Sequence, residues 1–119
     1  MKEKAFNIVK FAQEKKAIDP VVLDVRKISN FCDFFVIITG TSQTHMQAIA
    51  DGIKQGMRAL GVISHHKEGY NDARWIVLDY SSVIVHIFDG ETRSFYDLEH
   101  LWGDAAVLKL KQKKVREKR

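Results

Sequence analysis

The stretch DFFVIITGTSQTHMQAIADGIKQGMRALG, residues 33–61, determines the fold class of this chain. Its first part, residues 34–39, is apolar without alternation, which is typical of a central strand covered on both faces. Apolar residues then recur at the helical period until Gly61, a residue that commonly ends helices. Between the two segments, Thr41 or Ser42 is suited to cap the helix N-terminus. A buried strand that leads through a tight turn into an amphipathic helix predicts an α/β domain.

The flanking sequence supplies further elements. Helical periodicity predicts a first helix over residues 2–17, and Asp19 and Pro20 end it because the residue before a proline avoids the α region. Ser81 and Ser82 form a hairpin-length gap between two predicted strands. A strand near residues 62–66 is expected to complete a βαβ-like unit, and residues 91–101 are expected to form a short helix or a loop. The remaining strands are predicted at residues 21–25, 75–80 and 83–88.

These elements sum to an α/β fold in a single domain, with a mixed sheet of about five strands and helices packed on it. With 119 residues, 45% hydrophobic and 29% charged, the chain is long enough for one core. The domain is expected to span residues 1–108, followed by a basic, flexible tail over residues 109–119.

The composition indicates a cytoplasmic protein. No apolar run approaches the roughly 20 residues of a membrane span, and the N-terminal stretch lacks the apolar block of a secretory signal. Cys32 is the single cysteine, which excludes an intramolecular disulfide.

Charge is distributed unevenly along the chain. The tail KLKQKKVREKR holds seven basic residues and one acid, so the other 108 residues hold twelve basic and fourteen acidic side chains. The body is therefore mildly acidic, and the net charge of +4 arises from the tail. Such blocks are usually solvated and often act as interaction arms.

The residues that most active sites need do not form a recognisable group. Gly40, Thr41 and Ser42 stand before a helix, where a phosphate could bind, but the full glycine-rich phosphate motifs are absent. His65 and His66 are adjacent and would face opposite sides of a strand, so they cannot share one metal ion. The sequence therefore predicts no catalytic residues, no bound metal and no cofactor.

Aromatic residues suggest binding instead. Trp75, Tyr80, Tyr96 and Trp102 lie near the ends of predicted elements, and Trp and Tyr are common anchors of protein interfaces. Around Trp102, apolar residues alternate with the acidic residues Asp97, Glu99 and Asp104. That pattern is typical of an apolar patch with an acidic rim, which would suit a partner rich in Lys and Arg.

Three blocks of this sequence resemble one known family. They are DFFVIITGTSQTHMQAIAD (residues 33–51), KEGYNDARWIVLDYSSVIVHIF (residues 67–88) and RSFYDLEHLWGDA (residues 93–105). Their combination and order are similar to the signature of the ribosomal silencing factor family, also called Iojap-like. The resemblance covers nearly the whole expected domain.

The resemblance implies a nucleotidyltransferase-like fold without the catalytic carboxylates, and a protein without enzymatic activity or a small-molecule substrate. It implies binding to the large ribosomal subunit through that subunit's protein fourteen, so that the small subunit cannot join and translation falls, chiefly under nutrient limitation. It also implies a homodimer in isolation. Carried over residue by residue, the partner-binding surface comprises Trp75, Asp79, Tyr80, His86, Phe88, Tyr96, Leu98, Glu99, Leu101 and Trp102.

Two alternatives stay open at the level of sequence. The first is a nucleotidyltransferase-like enzyme that binds a nucleotide at residues 40–42. The second is an RNA-binding module led by the basic tail, which even in a silencing factor could touch ribosomal RNA phosphates through sequence-independent contacts.

Overall fold

The computed structural model describes residues 2–97 and 106–108. Within them, the strands form one mixed sheet with the order β3-β4-β5-β2-β1-β6, in which β2 and β5 are parallel and the other neighbours antiparallel. The predicted α/β class with a mixed sheet is confirmed. The described sheet has six strands: β1 (Ile18–Asp24), β2 (Phe34–Gly40), β3 (His66–Glu68), β4 (Trp75–Asp79), β5 (Val83–Asp89) and β6 (Ala106–Leu108).

Two helices, α1 (Lys2–Glu14) and α2 (Gln43–Ala59), cover one face of the sheet. Each presents an apolar stripe at the 3.6-residue period, and the sheet residues beneath are fully buried. Burying one such aliphatic side chain contributes on the order of 1.5–3 kcal/mol. The stripes consist of Ala5, Ile8, Val9 and Ala12 in α1 and of Met46, Ile49, Ala50, Ile53 and Met57 in α2.

The boundaries of α2 follow the predicted capping residues. The Ser42 hydroxyl accepts a hydrogen bond from the backbone N–H of His45 at 3.0 Å, as an N-cap should. At the other end Gly61 adopts a φ of +83°, and the N–H of Val62 returns to the carbonyl of Met57 at 2.9 Å. This is the Schellman arrangement, which requires the left-handed conformation that glycine adopts without strain.

One predicted strand was wrong in position. Residues 62–66 do not form a strand beside β2. The short strand β3 lies at His66–Glu68, at the edge of the sheet, where it pairs antiparallel with β4. The parallel neighbour of β2 is β5, so the crossover connection contains α2 and also β3 and β4. The sequence of a short polar strand does not indicate which strand it pairs with. The simpler βαβ unit was therefore expected.

The end of the first helix and the start of the first strand both lie three residues earlier than predicted. Helix α1 ends at Glu14 rather than at residue 17, and β1 already begins at Ile18. Asp19 has a φ of +49°, and the register shifts between Ile18 and Val21. This irregularity allows a proline, which lacks a backbone donor, to lie inside a strand.

The predicted hairpin is confirmed, and Tyr80 to Ser82 form its turn. β4 and β5 pair with Ile76 opposite Ile87 and Leu78 opposite Val85. Ser81 has a φ of +67°, a conformation that tight hairpin turns require. On the sheet face away from α1 and α2, the short helix α3 (Gly90–Tyr96) lies over the end of β5.

Among the helices of the described residues, none is long and apolar enough to cross a membrane.

Candidate partner-binding site

The sheet face opposite α1 and α2 carries a cluster of rings. The register sets Trp75 beside Phe88 and Val77 beside His86. Phe35 of β2 lies on the same face, with its ring 4.9 Å from that of His86. The ring of Trp75 contacts those of Phe88 at 4.9 Å and Tyr96 at 4.7 Å. We call this set, Phe35, Trp75, His86, Phe88 and Tyr96, the aromatic row.

Helix α3 presents the exposed end of the aromatic row. The Asp89 carboxylate caps the helix by accepting a hydrogen bond from the N–H of Thr92 at 2.7 Å. Asp97 ends it in the left-handed conformation, with a φ of +48°. The last turn carries Phe95 and Tyr96, which are 79% and 47% exposed and meet edge to face at 5.0 Å. Two adjacent exposed rings on a short helix are suited to contact with another molecule.

Arg93 fastens α3 to the sheet. Its Nη1 donates hydrogen bonds of 2.8 Å to the Thr39 hydroxyl and to the carbonyl of Asp19. These bonds join the helix to β2 and β1. They fix the helix, and hence Tyr96, relative to the sheet.

His86 is the buried polar member of the row and is hydrogen-bonded to Trp75. The indole N–H of Trp75 donates to His86 Nδ1 at 3.1 Å. His86 is 8% exposed, and burial lowers its pKa to about 4. The imidazole is therefore neutral near pH 7 and able to accept this hydrogen bond.

A cleft of about 490 Å³ opens beside the row. It combines three aromatic rings with two carboxylates and one guanidinium, so its charge balance is negative. Such a surface can receive an apolar or cationic side chain from a partner. The lining residues are Arg74, Trp75, Asp89, Glu91, Thr92, Phe95 and Tyr96.

The structure brings four of the predicted contact residues together in the aromatic row, namely Trp75, His86, Phe88 and Tyr96. Asp79 lies at the far end of β4, where its carboxylate accepts a hydrogen bond from the N–H of Ser81 at 2.8 Å. The remaining predicted contacts, Leu98, Glu99, Leu101 and Trp102, lie outside the described residues.

Two further predicted contact residues, Phe88 and Tyr80, are buried, as His86 is. Phe88 has no exposed surface and lies under Trp75, so it supports the row from within. Tyr80 is 2% exposed and lies in the main core on the helix-covered face, the opposite side from Trp75. Burial raises the pKa of Tyr80 to about 12. Its side chain is not accessible to a partner in this conformation.

Sequence patterns did not single out Phe35 and Phe95. Phe35 was part of an apolar run that indicated only burial. Phe95 precedes Tyr96 directly, and the Phe-Tyr pair in a short predicted helix was the available signal.

The turn at residues 40–42, the alternative nucleotide site, is filled by its own neighbours. A Cβ on Gly40 would approach Met46 Cγ to 2.5 Å. The N–H of Thr41 donates to His45 Nδ1 at 2.9 Å, while the other ring nitrogen of His45 contacts the carbonyl of Lys15 at 2.8 Å. These contacts account for the conformation of the turn, which caps the N-terminus of α2.

Residues 2–97 and 106–108 contain no group of three or more His, Cys, Asp or Glu side chains that could hold a metal ion.

Comparison with known proteins finds one family over the whole chain. The family model described as ribosomal silencing factor during starvation matches residues 1–119. A ribosomal silencing factor of Halalkalibacterium halodurans is 40% identical over 102 residues, 86% of this chain and 87% of the relative. The Bacillus subtilis ribosomal silencing factor is 41% identical over 82% of each chain.

Plant and structural relatives agree with these matches. The chloroplastic Iojap protein of Zea mays is 36% identical and covers 89% of this chain and 46% of its own length. A crystal structure from Bacillus halodurans superposes with a TM-score of 0.82 at 35% identity, over 92% of this chain and all of the other. One from Chromobacterium violaceum gives 0.84 at 26% identity, covering 86% and 85%.

Proposed function

The chain belongs to the ribosomal silencing factor family, and from this we propose that it binds the large ribosomal subunit through that subunit's protein fourteen. The bound protein would occupy space that the small subunit needs, so that the subunits fail to join and translation falls, chiefly under nutrient limitation. We propose that the protein acts in the cytoplasm, where it would meet ribosomes.

The observation that carries the proposal is the aromatic row together with its exposed neighbour Phe95. Tyr96 and Phe95 lie beside the partly buried Trp75 on a sheet face that neither long helix covers. Exposed aromatic rings that pack on buried side chains are typical of residues that dominate binding energy. A family member with such a surface has the anchor that a steric inhibitor needs.

Charge supports a basic protein as the partner. Asp89 and Glu91 line the cleft beside the rings, with Arg74 as the single basic residue among the described lining residues. The sequence adds Asp97, Glu99 and Asp104, of which the last two lie outside the described residues. An acidic rim around apolar anchors favours a partner patch rich in Lys and Arg and speeds association through electrostatic steering.

We further propose that the protein acts by occupancy and not by catalysis. The N-cap of α2 is satisfied by Ser42, and Thr41 already donates to His45, so the turn has fewer free donors for a triphosphate. Titration with a nucleoside triphosphate and magnesium should give no heat of binding. Micromolar affinity in that titration would favour the enzyme alternative.

The direct test uses purified ribosomal subunits. The protein should cosediment with large subunits and not with small ones, and increasing amounts should reduce monosome formation until large subunits are saturated. Monosome formation that is unchanged at saturating protein would overturn the proposed function.

A pair of variants tests the site itself. Tyr96→Ala should weaken binding to large subunits roughly tenfold or more, because removal of an interface anchor commonly costs over 1.4 kcal/mol. Phe31→Ala is the matched control, since Phe31 is 91% exposed and lies at the opposite end of the parallel strands from α3. Equal binding by both variants would contradict the assignment.

Two further parts of the proposal concern assembly. We propose that the isolated protein forms a homodimer, which sedimentation equilibrium measures directly. We also propose that the basic tail, residues 109–119, contacts ribosomal RNA phosphates once the domain is bound.

A further inference from the structure

His86 lies in an environment that stability alone does not explain. It is buried, with 8% of its surface exposed, and its Nε2 has no hydrogen-bond partner among residues 2–97 and 106–108. A buried polar atom without a partner destabilises the folded state. A hydrocarbon ring of similar size, such as phenylalanine, would avoid that penalty. The presence of a histidine at this position, hydrogen-bonded to Trp75, therefore needs a functional explanation.

That contact determines the state of the imidazole. Because the Trp75 indole N–H donates to Nδ1 at 3.1 Å, Nδ1 must be unprotonated and the ring proton of neutral His86 must lie on Nε2. Among the described residues, the side chains that contact the ring or lie beside it on the same face are Phe35 and Ile37 from β2, Trp75 and Val77 from β4, and Phe88 on the same strand. None of these neighbours carries a charge, and burial is the cause of the lowered pKa of His86.

The hydrogen bond is the directional contact that Trp75 makes on this face. Its other contacts, with the rings of Phe88 at 4.9 Å and Tyr96 at 4.7 Å, are tilted ring packings that tolerate rotation. Rotation of the indole would displace Tyr96, because the two rings touch. The orientation of the exposed part of the aromatic row thus depends on this acceptor atom as well as on the hydrogen bonds of Arg93.

We propose that His86 is a positioning residue, which fixes the indole of Trp75 and thereby preorganises the aromatic row for its protein partner. This inference rests on the proposed function and deepens it. A preorganised side chain loses less freedom on binding, so its contacts contribute more fully to affinity. His86 itself is buried and acts through Trp75.

The test compares His86→Phe with His86→Asn. Phenylalanine retains a ring and removes the acceptor, whereas the amide oxygen of asparagine can take the place of Nδ1. His86→Phe should be at least as resistant to urea as wild type, yet bind large subunits roughly three- to tenfold more weakly, as expected for the loss of one neutral hydrogen bond. His86→Asn should recover most of the affinity despite the smaller side chain. A role in packing alone predicts the reverse order.

A spectroscopic measurement tests the same contact without ribosomes. The protein has two tryptophans, so Trp102→Phe identifies the indole N–H resonance of Trp75. That proton should exchange slowly in wild type and His86→Asn, and faster and at a shifted frequency in His86→Phe. In wild type the resonance should move as His86 gains a proton, with a midpoint near pH 4.

The outcomes separate this inference from the proposed function. If wild type does not cosediment with large subunits, the proposed function fails, and the indole resonance still tests the positioning. If wild type binds and His86→Phe binds equally well with an unchanged indole resonance, the positioning role is overturned. Should His86→Phe not fold, the pH dependence of the wild-type resonance decides: no change between pH 7 and 3 would refute the contact.

Discussion

Gly69 and Gly61 both adopt a positive φ, at +77° and +83°, but their surroundings differ. A Cβ on Gly69 would lie 2.1 Å from the backbone oxygen of Trp75, whereas a Cβ on Gly61 would meet nothing within 4 Å. Backbone cannot move aside as a flexible side chain can. Gly69 therefore allows the close approach of chain segments that brings Trp75 into its strand.

We expect Gly69→Ala to lower the free energy of unfolding by about 3 kcal/mol, because conformational strain and a backbone clash add together. Gly61→Ala should lower it by only about 1 kcal/mol, from the strain alone. Urea denaturation of both variants measures the difference. Equal losses would show that the loop at Gly69 relaxes freely.

His86 makes stability depend on pH. Burial lowers its pKa from 6.5 to about 4, so between these values the unfolded chain binds the proton more readily than the folded protein. The stability linked to neutral His86 is present in full above about pH 6.5, falls as the pH drops toward 4, and changes no further below that. The total effect is of the order of 3 kcal/mol.

His86→Phe should therefore lose less stability than wild type between pH 6.5 and pH 4. Urea midpoints at several pH values in that window, compared between the two proteins, give the difference directly. Parallel curves would mean that His86 becomes solvated or finds an acceptor when it is protonated.

At the scale of elements, α3 is the described helix whose stability depends most on contacts outside the helix. It has seven residues, none of them buried, and an isolated helix of that length is unstable in water. Its stability derives from the Asp89 cap, the left-handed Asp97 and the bonds of Arg93 to the sheet. The exposed rings of the candidate site thus stand on an element held by a few polar contacts.

We expect Asp89→Ala to destabilise α3 by about 1 kcal/mol, since it removes the N-cap acceptor. Amide hydrogen exchange in residues 90–96 should accelerate roughly fivefold, while exchange in α2 stays unchanged. Asp89→Asn retains a good capping side chain and is the matched control for charge. If both variants accelerate exchange alike, the charge and not the cap holds the helix.

At the scale of the whole molecule, the mildly acidic body and the basic tail predict two different salt responses. Binding of the body to a basic protein and binding of the tail to RNA phosphates both weaken with salt, but counterion release from RNA gives the steeper dependence. Deletion of residues after Lys109 should flatten the slope of log affinity for large subunits against log salt concentration. An unchanged slope after deletion would show that the tail does not contact RNA.

The sequence by itself determined the α/β class, the central strand with its capped helix, the β4–β5 hairpin and the family. Those features follow from local periodicity, from capping chemistry and from residue motifs, all of which are present in the chain before it folds. The two-residue period of a strand also places Trp75, Val77 and Asp79 on one face and Ile76, Leu78 and Tyr80 on the other.

Only the tertiary structure decided which of those faces the helices cover. The two-residue period of a strand shows which side chains share a face. Whether that face is buried depends on what packs against it, and long-range contacts determine this. Hence Tyr80 lies in the core although it looked like an interface residue, and β3 lies at the sheet edge instead of beside β2. The hydrogen bond between Trp75 and His86, eleven residues apart, likewise exists because the hairpin register brings two strands together.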